Sequence, residues 1–134
     1  MPTKKSTARI PKATFGSVAV IVSNRATSVD WYIKKLGLDV IDQSTEQEGH
    51  WVTVGRKGQN GAVHLCQMTE FDPKFPAEAG PTGILFRLPG EFKKSCAALK
   101  SNGVRFHTPP RKETWGERAM IVDPDGNMIM LVPG

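Results

Sequence analysis

The side chains able to do chemistry are few in this chain. His64 and Cys66 stand two apart in the apolar run Ala62-Val63-His64-Leu65-Cys66, so strand alternation sets both on one face. An imidazole and a thiol together offer a weak site for a soft metal, or a thiolate nucleophile with the imidazole as its base. Same-face neighbours on one strand lie roughly 7 Å apart, which is too far for direct proton transfer. The plainer reading makes His64 a cleft-wall histidine and Cys66 a buried apolar filler like Cys96. Arg87 is the other unusual residue, a guanidinium inside Gly83-Ile84-Leu85-Phe86-Arg87-Leu88. Such a group clamps a carboxylate or phosphate bidentately, or it reaches solvent from the strand end. Trp51, Trp115 and Arg118 complete the set: they either stack on a flat ligand or serve packing.

These residues need elements to hold them, and the elements come twice. An offset of 66 residues sets Ser17–Val22 on Gly83–Leu88, Leu36-Gly37-Leu38 on Asn102-Gly103-Val104, and Gly61–Leu65 on Asn127–Leu131. Identity is low, but strand, helix and turn signals keep their order, which is what a duplicated unit predicts. In the first copy, residues 15–22 form a β-branched strand, and Asn24 caps a helix with Val29, Tyr32, Ile33 and Leu36 on one face. Gly37 ends that helix. Strands follow at about 38–44, 50–55 and 61–67, parted by the Gln47-Glu48-Gly49 and Lys57–Gly61 turns. The second copy predicts strand 82–88, a helix from about Glu91 with Phe92, Cys96 and Leu99 inward, a stop at Gly103, and strands near 104–108, 116–122 and 127–132. Each module reads β-α-β-β-β, with module one at 14–68, module two at 82–134, and the proline-containing residues 69–81 as linker.

Alternation then sorts the faces. Ser17, Ala19, Ile21, Ala62, His64, Cys66, Met68, Gly83, Leu85, Arg87, Met128 and Met130 face a cleft, while Val18, Val20, Val22, Ile84, Phe86 and Leu88 face the helices. A largely apolar cleft with adaptable methionines suits a small organic molecule.

Composition narrows the rest. The chain has 134 residues, 18 basic against 13 acidic. Residues 1–13 hold four of the basic residues and no acid, so the positive excess belongs to a basic tail, expected to be flexible. A nearly neutral body makes nucleic acid an unlikely partner, and any such contact would run through the tail. No apolar run of membrane-spanning length occurs, and no apolar region follows the basic start. The two cysteines are therefore expected as thiols in a cytoplasmic setting.

Val22-Ser23-Asn24, Trp31-Tyr32, Leu36-Gly37-Leu38, Trp115-Gly116-Glu117-Arg118 and Asp123-Pro124-Asp125-Gly126-Asn127, set within the doubled unit, resemble the vicinal oxygen chelate superfamily. That superfamily holds glyoxalase I, extradiol dioxygenases and the fosfomycin- and bleomycin-resistance proteins. The resemblance covers residues 15 to 132. It implies an α+β fold of two modules in an open half-barrel around a cleft, commonly as a homodimer. It also implies a divalent metal held by the first and last strands of each module, at Ser17, His64, Gly83 and Met130 here. Only His64 is a good ligand; glycine has no donor and a thioether suits hard ions poorly. The expectation is a metal-free protein that sequesters a drug or metabolite, with an aromatic or anionic ligand. The reading left open beside it is a lyase, isomerase or dioxygenase with a non-standard metal site around His64. The Asp123–Asn127 box is expected to be a structural turn with Gly126 at positive φ.

Overall fold

The computed structural model describes residues 9–44, 51–67 and 80–134. A run of β-branched and small residues forms β1 (Val18–Val22), as such side chains pack well on a pleated surface. Asn24 then starts α1 (Arg25–Leu36), its side chain accepting from the Thr27 N–H at 3.0 Å. Gly37 closes the helix at φ 67°, a conformation few other residues adopt cheaply. Next come β2 (Asp39–Gln43), β3 (Val52–Gly55) and β4 (Ala62–Gln67). Module two repeats the order with β5 (Pro81–Leu88), α2 (Phe92–Ser101), β6 (Arg105–Glu113), β7 (Gly116–Val122) and β8 (Met128–Pro133).

The result is an α+β architecture of two four-stranded mixed sheets, ordered β1-β4-β3-β2 and β5-β8-β7-β6 and not closed into a barrel. In each sheet the first strand pairs parallel with the last, and the others pair antiparallel. Among the described residues no helix is long and apolar enough to cross a membrane.

Several boundaries differ from the sequence expectation. β1 begins at Val18 rather than residue 15, because its partner strand first meets it at Val63; Ser17 therefore lies just before the strand. β6 runs on to Glu113, past Pro109 and Pro110. It is an edge strand, where prolines are tolerated, and the register shift between Thr108 and Arg111 spans both of them. The second helix ends on Asn102, with Gly103 one residue further at φ 88°. Residues 9–13 of the tail are exposed and without regular structure. Residues 1–8, the Gln47-Glu48-Gly49 turn, Met68 and most of the linker lie outside the described residues.

Alternation on the strands is observed largely as expected. Val20, Val22, Val54, Val63 and Leu65 from the first sheet and Ile84, Ala119, Ile121, Ile129 and Leu131 from the second are buried, in one cluster with Tyr32, Phe92 and Cys96. Both sheets thus share a core on their helix-bearing sides. Each buried Leu or Ile stabilises it by roughly 1.5–3 kcal/mol.

A buried carboxylate locks the two modules together. Asp123 is 1% exposed. Its Oδ1 accepts the N–H groups of Asp125 and Asn127 at 2.9 and 2.8 Å. Its Oδ2 accepts the Tyr32 hydroxyl and the Asn127 Nδ2, both at 2.9 Å. The Asn127 amide also donates to the Ile21 carbonyl at 3.0 Å, and Asp125 Oδ1 accepts the Ser23 N–H at 3.1 Å. The Asp123–Asn127 box is the expected turn, with Gly126 at φ 86°. It is also a clamp from the β7–β8 hairpin onto α1 and β1.

Burial first, and then the Asp123 carboxylate, push the Tyr32 phenol far above its ordinary range. A raised native pKa stabilises below the unfolded value near 10 and loses that stabilisation as pH climbs past it. Tyr32 is the chain's single tyrosine, so tyrosinate absorbance near 295 nm reports it alone. That absorbance is expected to stay flat through pH 10 and to rise only together with loss of the circular dichroism signal. Asp123→Asn is expected to cost about 3 kcal/mol in denaturant unfolding, because an amide presents donors to donors. Tyr32→Phe is expected to cost about 1–2 kcal/mol.

Candidate functional site

The side of each sheet opposite the shared core carries the residues singled out by the sequence. In module one, register sets Ala19 and Thr53 on either side of His64, and Ile21 beside Cys66. Trp51 is pinned just before β3 by two bonds with Ser44, its N–H to the hydroxyl at 2.8 Å and its carbonyl from the Ser44 N–H at 2.9 Å. This places its indole on the His64 ring, with centroids 3.7 Å apart and planes 31° from parallel. Trp51 stays 41% exposed, so the stacked pair is a platform with surface to spare for a flat molecule. Cys66 is buried beneath this face. At the strand end, Arg25 ties α1 to β4, its Nε donating to the Leu65 carbonyl at 3.1 Å and its N–H to Gln67 Oε1 at 2.9 Å.

In module two, Leu85 lies opposite Met130, Met130 opposite Met120, and Arg87 opposite Val132. The floor is thus methionine and valine, with Arg87 at one end. Arg118 is on the same side, but its Nε is bound to Glu113 Oε1 at 3.0 Å, and the same oxygen takes Arg111 Nε at 2.8 Å. Trp115, in the turn between β6 and β7, is 61% exposed. With Leu85, Arg87, Val132 and Pro133 it walls a hollow of about 340 Å³.

The structure therefore gathers the expected residues into two groups. Trp51, His64 and Cys66 belong to one sheet; Arg87, Trp115, Arg118 and Met130 belong to the other. Of five hollows in the described surface, none takes walls from both groups. The hollow at the module junction, about 400 Å³, takes walls from both modules, among them Phe15, Val18, Leu38, Ala62, Ile84 and Leu85. Two contacts escaped the sequence reading. The Trp51–His64 stack joins residues separated by a turn and a strand. The Glu113 pairing had a legible signal, since Glu113 and Arg118 flank a hairpin turn and such positions meet across the strands.

The four positions at which the resemblance implies metal ligands can be compared directly. Ser17 precedes β1. Gly83 sits at φ 78° inside a register shift of β5, with open space where a side chain would be. Met130 offers only a thioether, leaving His64 as the single good donor. Among the described residues no three His, Cys, Asp or Glu side chains gather closely enough to hold an ion. This donor set does not fit a divalent metal, for which about three protein ligands are usual. Burial, followed by nearby Glu117, raises the Cys96 thiol pKa.

Comparison with known proteins identifies the family to which this fold belongs. Residues 14–131 match the family model for the Glyoxalase/Bleomycin resistance protein/Dioxygenase superfamily. A superfamily member from Sphaerobacter thermophilus is 28% identical with a TM-score of 0.75, covering 92% of this chain and 98% of its own. TnmS3, an antibiotic binding protein from Streptomyces sp. CB03234, is also 28% identical with a TM-score of 0.75, over 93% of this chain and 98% of its own. A glyoxalase/bleomycin resistance protein from the same Streptomyces is 30% identical with a TM-score of 0.69, over 87% and 96%.

The stacked pair makes its own prediction. The carbon-bound ring protons of His64 are expected upfield of their usual NMR positions, shielded by the Trp51 indole. In Trp51→Ala they should return to ordinary values while the fold is kept. An unshifted His64 in the parent protein would contradict the stack.

Proposed function

The chain belongs to the glyoxalase/bleomycin resistance protein/dioxygenase superfamily, and from that premise we propose that it binds and sequesters a small organic molecule without metal chemistry. One observation carries this reading. Where the resemblance calls for four metal ligands, the two sheet faces present a single imidazole, stacked under Trp51, and a floor of methionine and valine. Aromatic and thioether surfaces hold apolar molecules through contact area and adapt to their shape. The likeness to an antibiotic binding protein over nearly the whole chain supports the same class of ligand.

We place the working site in a homodimer. No hollow in the described surface joins Trp51 and His64 to Arg87 and Trp115, so in this reading a ligand held by both groups takes a second copy that sets its module-two face over the first copy's Trp51 and His64. The thiols of Cys66 and Cys96, both buried, suit a reducing cytoplasm.

Metal analysis tests the proposal. Protein incubated with Zn²⁺, Ni²⁺, Mn²⁺ or Fe²⁺ and then dialysed is expected to retain well under one equivalent. Its ligand binding is expected to be unchanged by EDTA. One bound ion per chain, lost in His64→Ala together with activity, would instead establish a metal-dependent lyase, isomerase or dioxygenase centred on His64.

A further inference from the structure

Charge on the open face of module two is concentrated in one transverse row. Arg87 pairs in register with Val132. Arg118 stands one residue before Ala119, which pairs with Leu131, and so lies across from Val132 on the other side. Arg111 lies opposite Arg118 on the edge strand. Arg87, Val132, Arg118 and Arg111 thus cross all four strands, which are spaced about 4.8 Å apart. The carboxylate bound within this row is Glu113, and one of its oxygens holds both Arg118 and Arg111. Arg87 makes no ion pair among the described residues. It opens instead into the hollow it shares with Leu85, Trp115, Gly116, Glu117, Val132 and Pro133; as the chain neighbour of Arg118, Glu117 turns its side chain to the other face of β7, toward Cys96.

A lone cation beside exposed apolar walls has a defined complement. Leu85 and Trp115 are 46% and 61% exposed, enough to cover one face of an aromatic ring. The guanidinium fork matches a planar oxyanion at the edge of that ring. Resting on the small-molecule reading above, we propose that this row is the specificity end of the site. Arg87 takes the carboxylate or phosphate of an aromatic ligand, and Trp115 and Leu85 cover its ring. Glu113 engages the Nε of both Arg118 and Arg111, so Arg87 is the guanidinium of the row with no carboxylate partner among the described residues, and the oxyanion docks there.

Calorimetric titration with 2-naphthoate, neutral 2-naphthamide and 2-naphthyl phosphate tests this. In the parent protein, 2-naphthoate is expected to bind about tenfold more tightly than 2-naphthamide, the size of one charge-assisted bond. Arg87→Gln should erase that preference while leaving 2-naphthamide within about twofold, and Arg87→Lys should restore part of it. Glu113→Gln, with its fold checked by thermal melting, should tighten 2-naphthyl phosphate about fivefold or more, because removing the carboxylate raises the positive charge of the row by one. A variant whose Glu113 merely supported the hairpin would weaken all three probes alike. Equal binding of acid and amide would overturn the anion assignment and leave the small-molecule reading intact. Failure of all three probes to bind at millimolar concentration would overturn both.

Discussion

The arrangement depends on one buried carboxylate. Asp123 lies between modules at 1% exposure, where an unpaired charge would cost several kcal/mol. It is tolerated because four donors converge on its two oxygens, one of them the Tyr32 hydroxyl of the other module. That requirement runs in both directions. The turn must hold its shape for two of those bonds, and α1 must lie within reach of the hairpin for a third. The clamp therefore sets how the second sheet sits on the first. The corresponding turn of module one, Lys57-Gly58-Gln59-Asn60-Gly61, has no carboxylate, so the duplication diverged at the point where the modules are joined.

With the helix-bearing sides committed to a common core, the opposite faces are left for function. Their side chains have parted from one another as well. Ala19 and Ile21 occupy the places of Leu85 and Arg87 in the other copy, and His64 that of Met130. Module one supplies a stacked ring pair, and module two a thioether floor with an arginine row at its end. Neither face alone encloses a molecule, whereas together they would offer stacking below and charge at the rim. This is a division of labour suited to holding a ligand rather than to polarising one through a metal.

Much of the fold was legible from local rules. The 66-residue offset, the Asn24 cap, the Gly37 stop and the inward positions of Val20, Val22, Ile84 and Leu88 all follow from short-range physics, and the structure repeats them. What escaped depends on pairing between distant segments. The Asp123 box looked like a turn because its tie to Tyr32 spans 91 residues. Arg118 looked like a free wall residue because its neutralisation by Glu113 needs the hairpin to close first. The strand read near 104–108 runs on through Pro109 and Pro110 to Glu113, because an edge strand with a bulge accommodates prolines. The candidate site residues were chosen by type, and their division between two sheets comes from packing, which no spacing rule encodes.

Ligand capture as proposed turns on whether two copies build one site. Trp51→Ala disables the module-one face and Arg87→Gln the module-two face, so either variant alone should bind 2-naphthoate weakly. Mixed and refolded together, they should form heterodimers in which one of the two sites carries no substitution, and tight binding should reappear in proportion to heterodimer formed. A mixture that binds no better than its separate components would contradict the account.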